Sequence, residues 1–390
     1  MKLALFLAAR LLRRRGSALL RTSAAAALAA VALGTAALVV TLALMTGYSR
    51  ALREGILAAG GHIVALAPGG GTDRARLDKL AALEGVERVS DVSYLPGVLI
   101  AEGGGSEVVL VKAAAVLPGF AELPAAVAGR PLPIAIGEGV ARRLGVAPGA
   151  RLSLQVATGS RGVATTVVAA HRTVHTGFSE IDDRWVLAAL GDLTGRAAGV
   201  SAHGVEVWLA DPERAADAAV DVENALGGRS LVTTWQDANR NLFAALRWQK
   251  LSLAVVLSLV LGVGAFEVAS ALVVLVTEKR RALGVLLAIG GRPTLLRWTL
   301  VLAGGTLGAV GVLGGVALGL GLAAALSALG VPTFPAEIAA IYGVDHIPLS
   351  VNPADVLAVV GLGLAEVTLA ALLPAHRAAR REPVEILRWI

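Results

Sequence analysis

Cysteine is absent from the 390 residues. That excludes disulfides, thiolate-held metals and thiol catalysis, and leaves the redox compartment unmarked. Charge is scarce as well. Only 16% of residues are charged and 4% aromatic, where soluble domains carry about 25% charged residues. No G-x-x-x-x-G-K-[ST] occurs, so the chain has no P-loop to cradle nucleotide phosphates. No G-x-S-x-G elbow occurs either, which removes the usual mark of a serine hydrolase of that fold. The glycine runs at 69–71 and 103–105 lack a following Lys-Ser/Thr and read as turns.

Long apolar runs are what the chain has instead. Hydrophobic residues make up 56% and mean hydropathy is +0.71. They are concentrated in a few runs, as in a membrane protein with a soluble part. Residues 22–49 carry no charge over 28 positions. A secretory signal has an apolar core of only about 7–15 residues, so this run reads as an uncleaved anchor whose helix continues past the lipid. Further spans are expected at 251–277, within 298–329, and at about 356–373, each near the roughly 20 residues a bilayer needs.

The basic residues report topology. Segments 1–21, 278–297 and 376–390 hold 15 Lys/Arg against Glu278, Glu382 and Glu385. The middle, 48–250, holds 20 Lys/Arg against 21 Asp/Glu. The loop 330–355 has Glu337, Asp345 and Asp355 and no cation. Four crossings then alternate with the basic segments inside. Tyr48, Trp248 and Trp298 fall at the expected interfaces. The positive charge fits anionic headgroups, and no nucleic-acid-binding pattern accompanies it.

In order, the chain reads as a basic amphipathic lead (1–21), a first span (22–49), an α+β region on the outer side (50–248), a second span (251–277), a basic loop (278–297), a third span (298–329), an outer loop (330–355), a fourth span (356–373) and a basic tail (374–390). Within the α+β region, strands are expected at 62–66, 86–92, 95–101, 106–112, 151–156, 164–174, 184–190 and 204–209. Helices are expected at 73–83, 138–144 and 213–226, and another from 237 to 250 that runs into the second span. In the third span Gly304/Gly308 and Gly311/Gly315/Gly319 recur every four residues, a spacing that lets helices approach closely in lipid.

A few residues are candidates for more than packing. Glu267 and Glu366 lie near the centres of the second and fourth spans, where an acid is costly and rarely faces lipid. They either line a cavity, binding a polar group or sharing a proton, or are protonated packing groups. His171 and His175 form H-x-x-x-H, but their flanks favour a strand, where four residues span about 13 Å and cannot share a metal. Glu180, Asp182 and Asp183 read as a turn. In the loop, Lys279, Arg280 and Arg281 either only enforce topology or belong to a structured element. The apolar stretch 282–289, then Gly290, Gly291 and Pro293 restarting a helix, favours the structured element.

Several stretches together resemble the four-span permeases of type VII ABC transporters, the MacB/FtsX/Lol group. The tail Pro374, Ala375, His376, Arg377, then Arg380, Pro383, Glu385 and Arg388, is similar to that group's closing signature. Glu278-Lys279, followed by Gly284 and Gly290, resembles its coupling segment. Met45-Thr46-Gly47-Tyr48 with Leu52-Arg53-Glu54, and Thr234-Trp235-Gln236-Asp237 with Asn241 and Lys250, resemble the lipoprotein-releasing LolC/LolE branch.

The resemblance implies a four-helix membrane protein in a 1+3 arrangement with a MacB-like periplasmic core domain. It implies a non-catalytic subunit of the bacterial inner membrane with both termini cytoplasmic. Partners would be two copies of an ABC ATPase, which alone would bind ATP and Mg, and a second permease subunit. The coupling residues would be Glu278, Lys279, Arg280, Arg281, Gly284 and Gly290, and the cargo a membrane lipoprotein passed to a soluble periplasmic carrier. An FtsX-like signalling subunit acting on a cell-wall hydrolase and a MacB-like efflux component are the alternatives. Two departures stand out. The hairpin that holds the carrier in some members is here only 157–164, and Glu267 stands where the group often has a neutral polar residue. Because the chain lacks cysteine, single cysteines introduced at its start and in 278–297 can be labelled cleanly. Both should react from the same side of the bilayer; opposite sides would overturn the topology.

Overall fold

The computed structural model describes residues 6–8, 10, 17–67, 73–115, 123–127, 129–157, 162–176, 179–191, 202–228, 230–329 and 349–379. The turn expected at 68–71, the acids Glu337 and Asp345, and the tail residues Arg380, Pro383, Glu385 and Arg388 lie outside the described residues. In chain order the elements are α1 (Ala18–Ala59), β1 (Ile63–Ala67), α2 (Arg74–Ala81), β2 (Val86–Ala101), β3 (Ser106–Ala114), β4 (Leu132–Gly137), α3 (Glu138–Leu144), β5 (Arg151–Ala157), β6 (Val163–Val174), α4 (Ser179–Asp182), β7 (Trp185–Ala189), β8 (Ala202–Leu209), α5 (Ala215–Leu226), β9 (Leu231–Thr234), α6 (Trp235–Ala238), α7 (Arg240–Glu278), α8 (Arg280–Ala288), α9 (Pro293–Ala328) and α10 (Pro353–Ala379). Two compact units result. One comprises 1–48, 245–332 and 347–390, the other 49–244 and 333–346.

The first unit holds the four helices long and apolar enough to cross a bilayer: α1, α7, α9 and α10. Helix α9 carries glycine on two faces. A methyl group on Gly308 would overlap Val367 of α10, and one on Gly304 would lie 2.9 Å from the Ala371 methyl. On the other face, a methyl on Gly315 would lie 2.5 Å from the Ala32 carbonyl oxygen of α1, and one on Gly319 2.9 Å from Val39. The four-residue glycine spacing therefore seats a different helix on each face. Val31, Leu38, Leu261, Val312 and Val367 form the core between them. Helix α10 runs past the expected end of the fourth span and through Pro374. Pro374 lacks a backbone N–H donor, but burial of Ala371, Ala375 and Ala378 against Leu275, Leu296 and Leu300 holds the helix on either side of it.

The second unit is built on β2. The sequence suggests two strands, 86–92 and 95–101, but the structure has one of 16 residues. Its first half pairs with β8 as far as Tyr94↔Ala202; its second half pairs with β5 from Gly97↔Val156. Pro96 falls between these two registers, where its missing N–H breaks no ladder bond. Strands β2, β3, β7, β4, β6 and β5 close a ring, since β3 also pairs with β2. Leu99, Val111, Ile134, Leu154, Val168 and Val186 fill it. Beyond the ring, β2, β8, β1 and β9 continue as a sheet. Its Ile63, Val205 and Val207 pack with Leu80 of α2 and Val222 of α5.

Strands β4 and β9 were not expected. β4 is buried on both faces except at Pro133, so it shows no alternation, and β9 is only 4 residues long. Elsewhere the turn signals hold. Gly145 ends α3 at φ +63° and Gly104 turns the β2–β3 hairpin at φ +86°. Ala157 pairs with Val163, so the β5–β6 connection is five residues long; its tip, 158–161, lies outside the described residues.

His62 fastens β1 to β8 and to the start of α6. Its Nδ1 accepts the Leu209 N–H at 2.9 Å, and its carbonyl accepts the Trp235 N–H at 3.0 Å. Burial holds the imidazole below its ordinary range, against the opposing pull of Glu87. The unfolded chain therefore takes up a proton near pH 6.5 that the folded imidazole takes up only at lower pH, so stability falls as pH drops below about 6.5. The unfolding midpoint of this unit in the full chain should fall between pH 7 and pH 5. His62→Asn, which keeps an acceptor without the titration, should flatten that dependence; an unchanged slope would remove His62 as its source.

Candidate functional site

Helix α8 is set by its ends. α7 stops at Glu278 and α8 begins after Lys279. At its C-terminus the Gly291 N–H bonds the Leu286 carbonyl at 2.9 Å and the Gly290 N–H bonds that of Leu287 at 3.1 Å. Gly290 has φ +96°. This is the glycine-closed helix end in which only a residue tolerating positive φ fits. Pro293 then opens α9 at a position where its missing N–H costs nothing.

Burial divides α8 into two faces. Leu283 and Gly284 are buried, with Leu283 against Leu272, Leu275 and Leu296. Arg280, Arg281 and Arg292 are exposed, as are Val285 (55%) and Ile289 (77%). Arg281, Val285 and Ile289 are spaced four apart and so share one row of the helix. Exposed aliphatic groups framed by guanidinium groups form a surface suited to a protein partner.

Glu278 is occupied elsewhere. Its Oε1 accepts the Ser17 N–H at 2.9 Å and its Oε2 the Ser17 hydroxyl at 3.0 Å. Ser17 in turn accepts the Leu20 N–H at 3.2 Å, capping α1. A carboxylate at a helix N-terminus is favoured by the backbone dipoles there. Among the expected coupling residues, then, Arg280 and Arg281 lie on the exposed face, Gly284 on the buried face, and Gly290 forms the stop. Lys279 lies beside Glu278 at 3.7 Å.

The two intramembrane acids are separated. Glu366 lines a groove of about 660 Å³ between α7 and α10, with Gly262, Phe266, Ser270, Leu369, Leu373, Pro374 and Arg377 also in its walls. Its Oε2 is buried and has no hydrogen-bond partner among the described residues. Glu267 is exposed on α7 and is not among the groove's lining residues. His171 lies on β6, while His175 pairs with Glu138 at 2.9 Å and with Asp182 at 3.4 Å. Among the described residues no three His, Cys, Asp or Glu side chains are placed so that they could hold a metal ion together.

A polar tie joins three spans. Lys250 Nζ on α7 lies 2.7 and 2.9 Å from the Asp355 oxygens on α10 and 3.0 Å from Thr46 Oγ1 on α1. The Thr46 hydroxyl donates to Asp355 at 2.9 Å. In the other unit, Arg53 lies over the Trp235 ring at 5.5 Å and pairs with Glu213. The stretches around Thr46–Arg53 and Trp235–Lys250 are thus brought together twice. The partnership of Lys250 with Asp355, 105 positions away, has no mark in the sequence. Lys250→Met or Asp355→Asn should each destabilise the solubilised chain by about 1–3 kcal/mol through an unpaired, part-buried charge. The double variant should cost less than the sum; strict additivity in thermal unfolding would show the groups uncoupled.

A profile of the FtsX-like permease C-terminal family matches residues 254–383, and one of the MacB-like periplasmic core domain matches residues 24–225. The lipoprotein-releasing system transmembrane protein LolC of Xylella fastidiosa is 26% identical, over 93% of both chains. LolC of Neisseria meningitidis is 28% identical, again over 93% of both. LolE of Haemophilus influenzae is 26% identical over 47% of this chain and 45% of that protein.

Proposed function

The chain belongs to the FtsX-like permeases that carry a MacB-like periplasmic core domain, and on that premise we propose that it couples a partner's ATP hydrolysis to lipoprotein release. It is a multi-pass inner-membrane permease of the ABC class. The observation that carries the finer reading is the exposed row of α8, Arg281, Val285 and Ile289. A separate ATPase, present in two copies and binding the ATP and Mg, grips this row from the cytoplasmic side, where both termini also lie. The buried Leu283 face passes the push into α7 and α9, whose core it joins. A second permease subunit completes the complex.

The cargo is a lipid-anchored protein lifted from the outer leaflet. Each acyl CH₂ buried in lipid stabilises the anchor by about 0.8 kcal/mol, so bare extraction of several chains costs tens of kcal/mol. An apolar, glycine-lined route between helices lowers that cost to what a few nucleotide cycles supply. The short β5–β6 connection leaves little for a soluble periplasmic carrier to hold, so the carrier docks on the partner subunit.

The test is reconstitution of the chain with its ATPase in liposomes carrying a triacylated lipoprotein. ATP should move the lipoprotein into the soluble fraction. Val285→Asp combined with Ile289→Asp should cut that release at least tenfold while the chain still inserts. Release unaffected by the double change would sink the coupling role; absence of ATP-dependent release with the unaltered chain would sink the lipoprotein reading.

A further inference from the structure

The groove between α7 and α10 has a cation at one end and an acid at the other. Its α10 wall carries Glu366, Leu369, Ala370, Leu373, Pro374 and Arg377, a stripe at helical spacing. Its α7 wall runs from Gly262 through Phe266 and Val273 to Thr277. The two helices run in the same direction. Near one end a methyl on Gly262 would lie 3.9 Å from Glu366, and towards the other Leu275 packs in one core with Ala375 and Ala378.

Depth follows from the helix rise. Glu366 and Arg377 are 11 positions apart on one helix, which is about 16 Å. One leaflet of hydrocarbon is about 15 Å deep, half of a core about 30 Å thick. With Glu366 near the middle of its span, Arg377 stands at headgroup level, too far from Glu366 to pair with it. Between them Phe266, Val273, Leu369 and Leu373 are exposed, at the depth where acyl chains lie. Ser270 is the one polar side chain lining that stretch among the described residues.

The headgroup end is cationic and uncompensated. Arg377 is exposed and has no ion pair or hydrogen bond among the described residues. The Thr277 hydroxyl beside it donates to the Val274 carbonyl of its own helix at 2.8 Å. Glu278, the next acid along α7, is held by Ser17. A guanidinium matches a phosphate with two parallel N–H donors, and basic pockets between spanning helices take anionic headgroups.

We propose that this groove holds an anionic phospholipid, its phosphate on Arg377 and one acyl chain laid along the apolar wall towards Glu366. The proposal rests on the topology given above only in making the leaflet the cytoplasmic one. The ligand is then a lipid of the bilayer and not the cargo, whose anchor lies in the opposite leaflet.

The full chain is placed in phosphatidylcholine nanodiscs with a trace of phosphatidylglycerol carrying a diazirine midway along one acyl chain. A parallel sample carries the same tag on phosphatidylcholine. Crosslinks should map to 266–276 and 369–373, about fivefold more with the anionic lipid, as one cation near a headgroup gives. Arg377→Gln should remove that preference, and Arg377→Lys, which keeps a cation, should retain about half of it. Ser270→Trp, at an exposed position, fills the groove and should abolish labelling by both lipids. Ala269→Phe takes its place should Ser270→Trp lower the thermal midpoint. Equal labelling by the two lipids, a preference that survives Arg377→Gln, or equal loss in both Arg377 variants overturns the proposal. So does an unlabelled groove, the result that a second subunit seated on it would give. The readout uses neither ATP nor lipoprotein, so its failure is distinct from failure of the coupling reading.

Discussion

Lipid withdraws the force that packs helices in water, because its tails are as apolar as leucine side chains. What then holds α1, α7, α9 and α10 together is shape. Helix α9 supplies it by leaving out side chains on two faces. Gly304 and Gly308 admit Ala371 and Val367 of α10, and Gly315 and Gly319 admit Ala32 and Val39 of α1. Gly264 of α7 approaches Ala30 and Val31 of α1 in the same way. With helices this close, the polar side chains at their ends can reach one another. The Thr46–Lys250–Asp355 tie and the Ser17–Glu278 cap both depend on that approach.

The α+β unit meets a different constraint. Sheet edges must be paired or covered, and a single long strand does most of this. β2 serves the closed ring with one half and the open sheet with the other. The change of partners falls at Tyr94–Gly97. A strand that belongs to two cores must have a point where neither core claims its neighbours' outward faces. There the chain places Lys112, Glu206 and Tyr94 and not leucine. A buried ion pair of this kind adds little net stability compared with apolar packing.

Local patterns carried much of this in plain sight. The four spans, the helix stops at Gly145 and Gly290, the restart at Pro293 and most strands of the α+β unit are periodicities and turn residues read within about ten positions. Where the pattern misled, the cause was again local. The strands expected at 86–92 and 95–101 are one strand whose partner changes from β8 to β5 around Pro96. β4 is buried on both faces, so it shows no alternation. The extension of α10 through Pro374 is held by its neighbours, which a scan of α10 alone does not contain.

Length, charge and glycine spacing by themselves determined that the chain crosses a membrane four times, that its basic loop holds a helix, and that its third span packs closely with others. These follow from backbone geometry and transfer energies, which each segment carries alone. The tertiary structure decided which helix each glycine face receives, that Glu278 holds Ser17, the cap of α1, while Arg281, Val285 and Ile289 stand exposed, and that Lys250 meets Asp355. It alone joined Lys112 to Glu206. Such pairings lie from 59 residues apart (Gly308 and Val367) to 283 (Ala32 and Gly315), and a sequence period of two or four has no means of naming a partner at that distance.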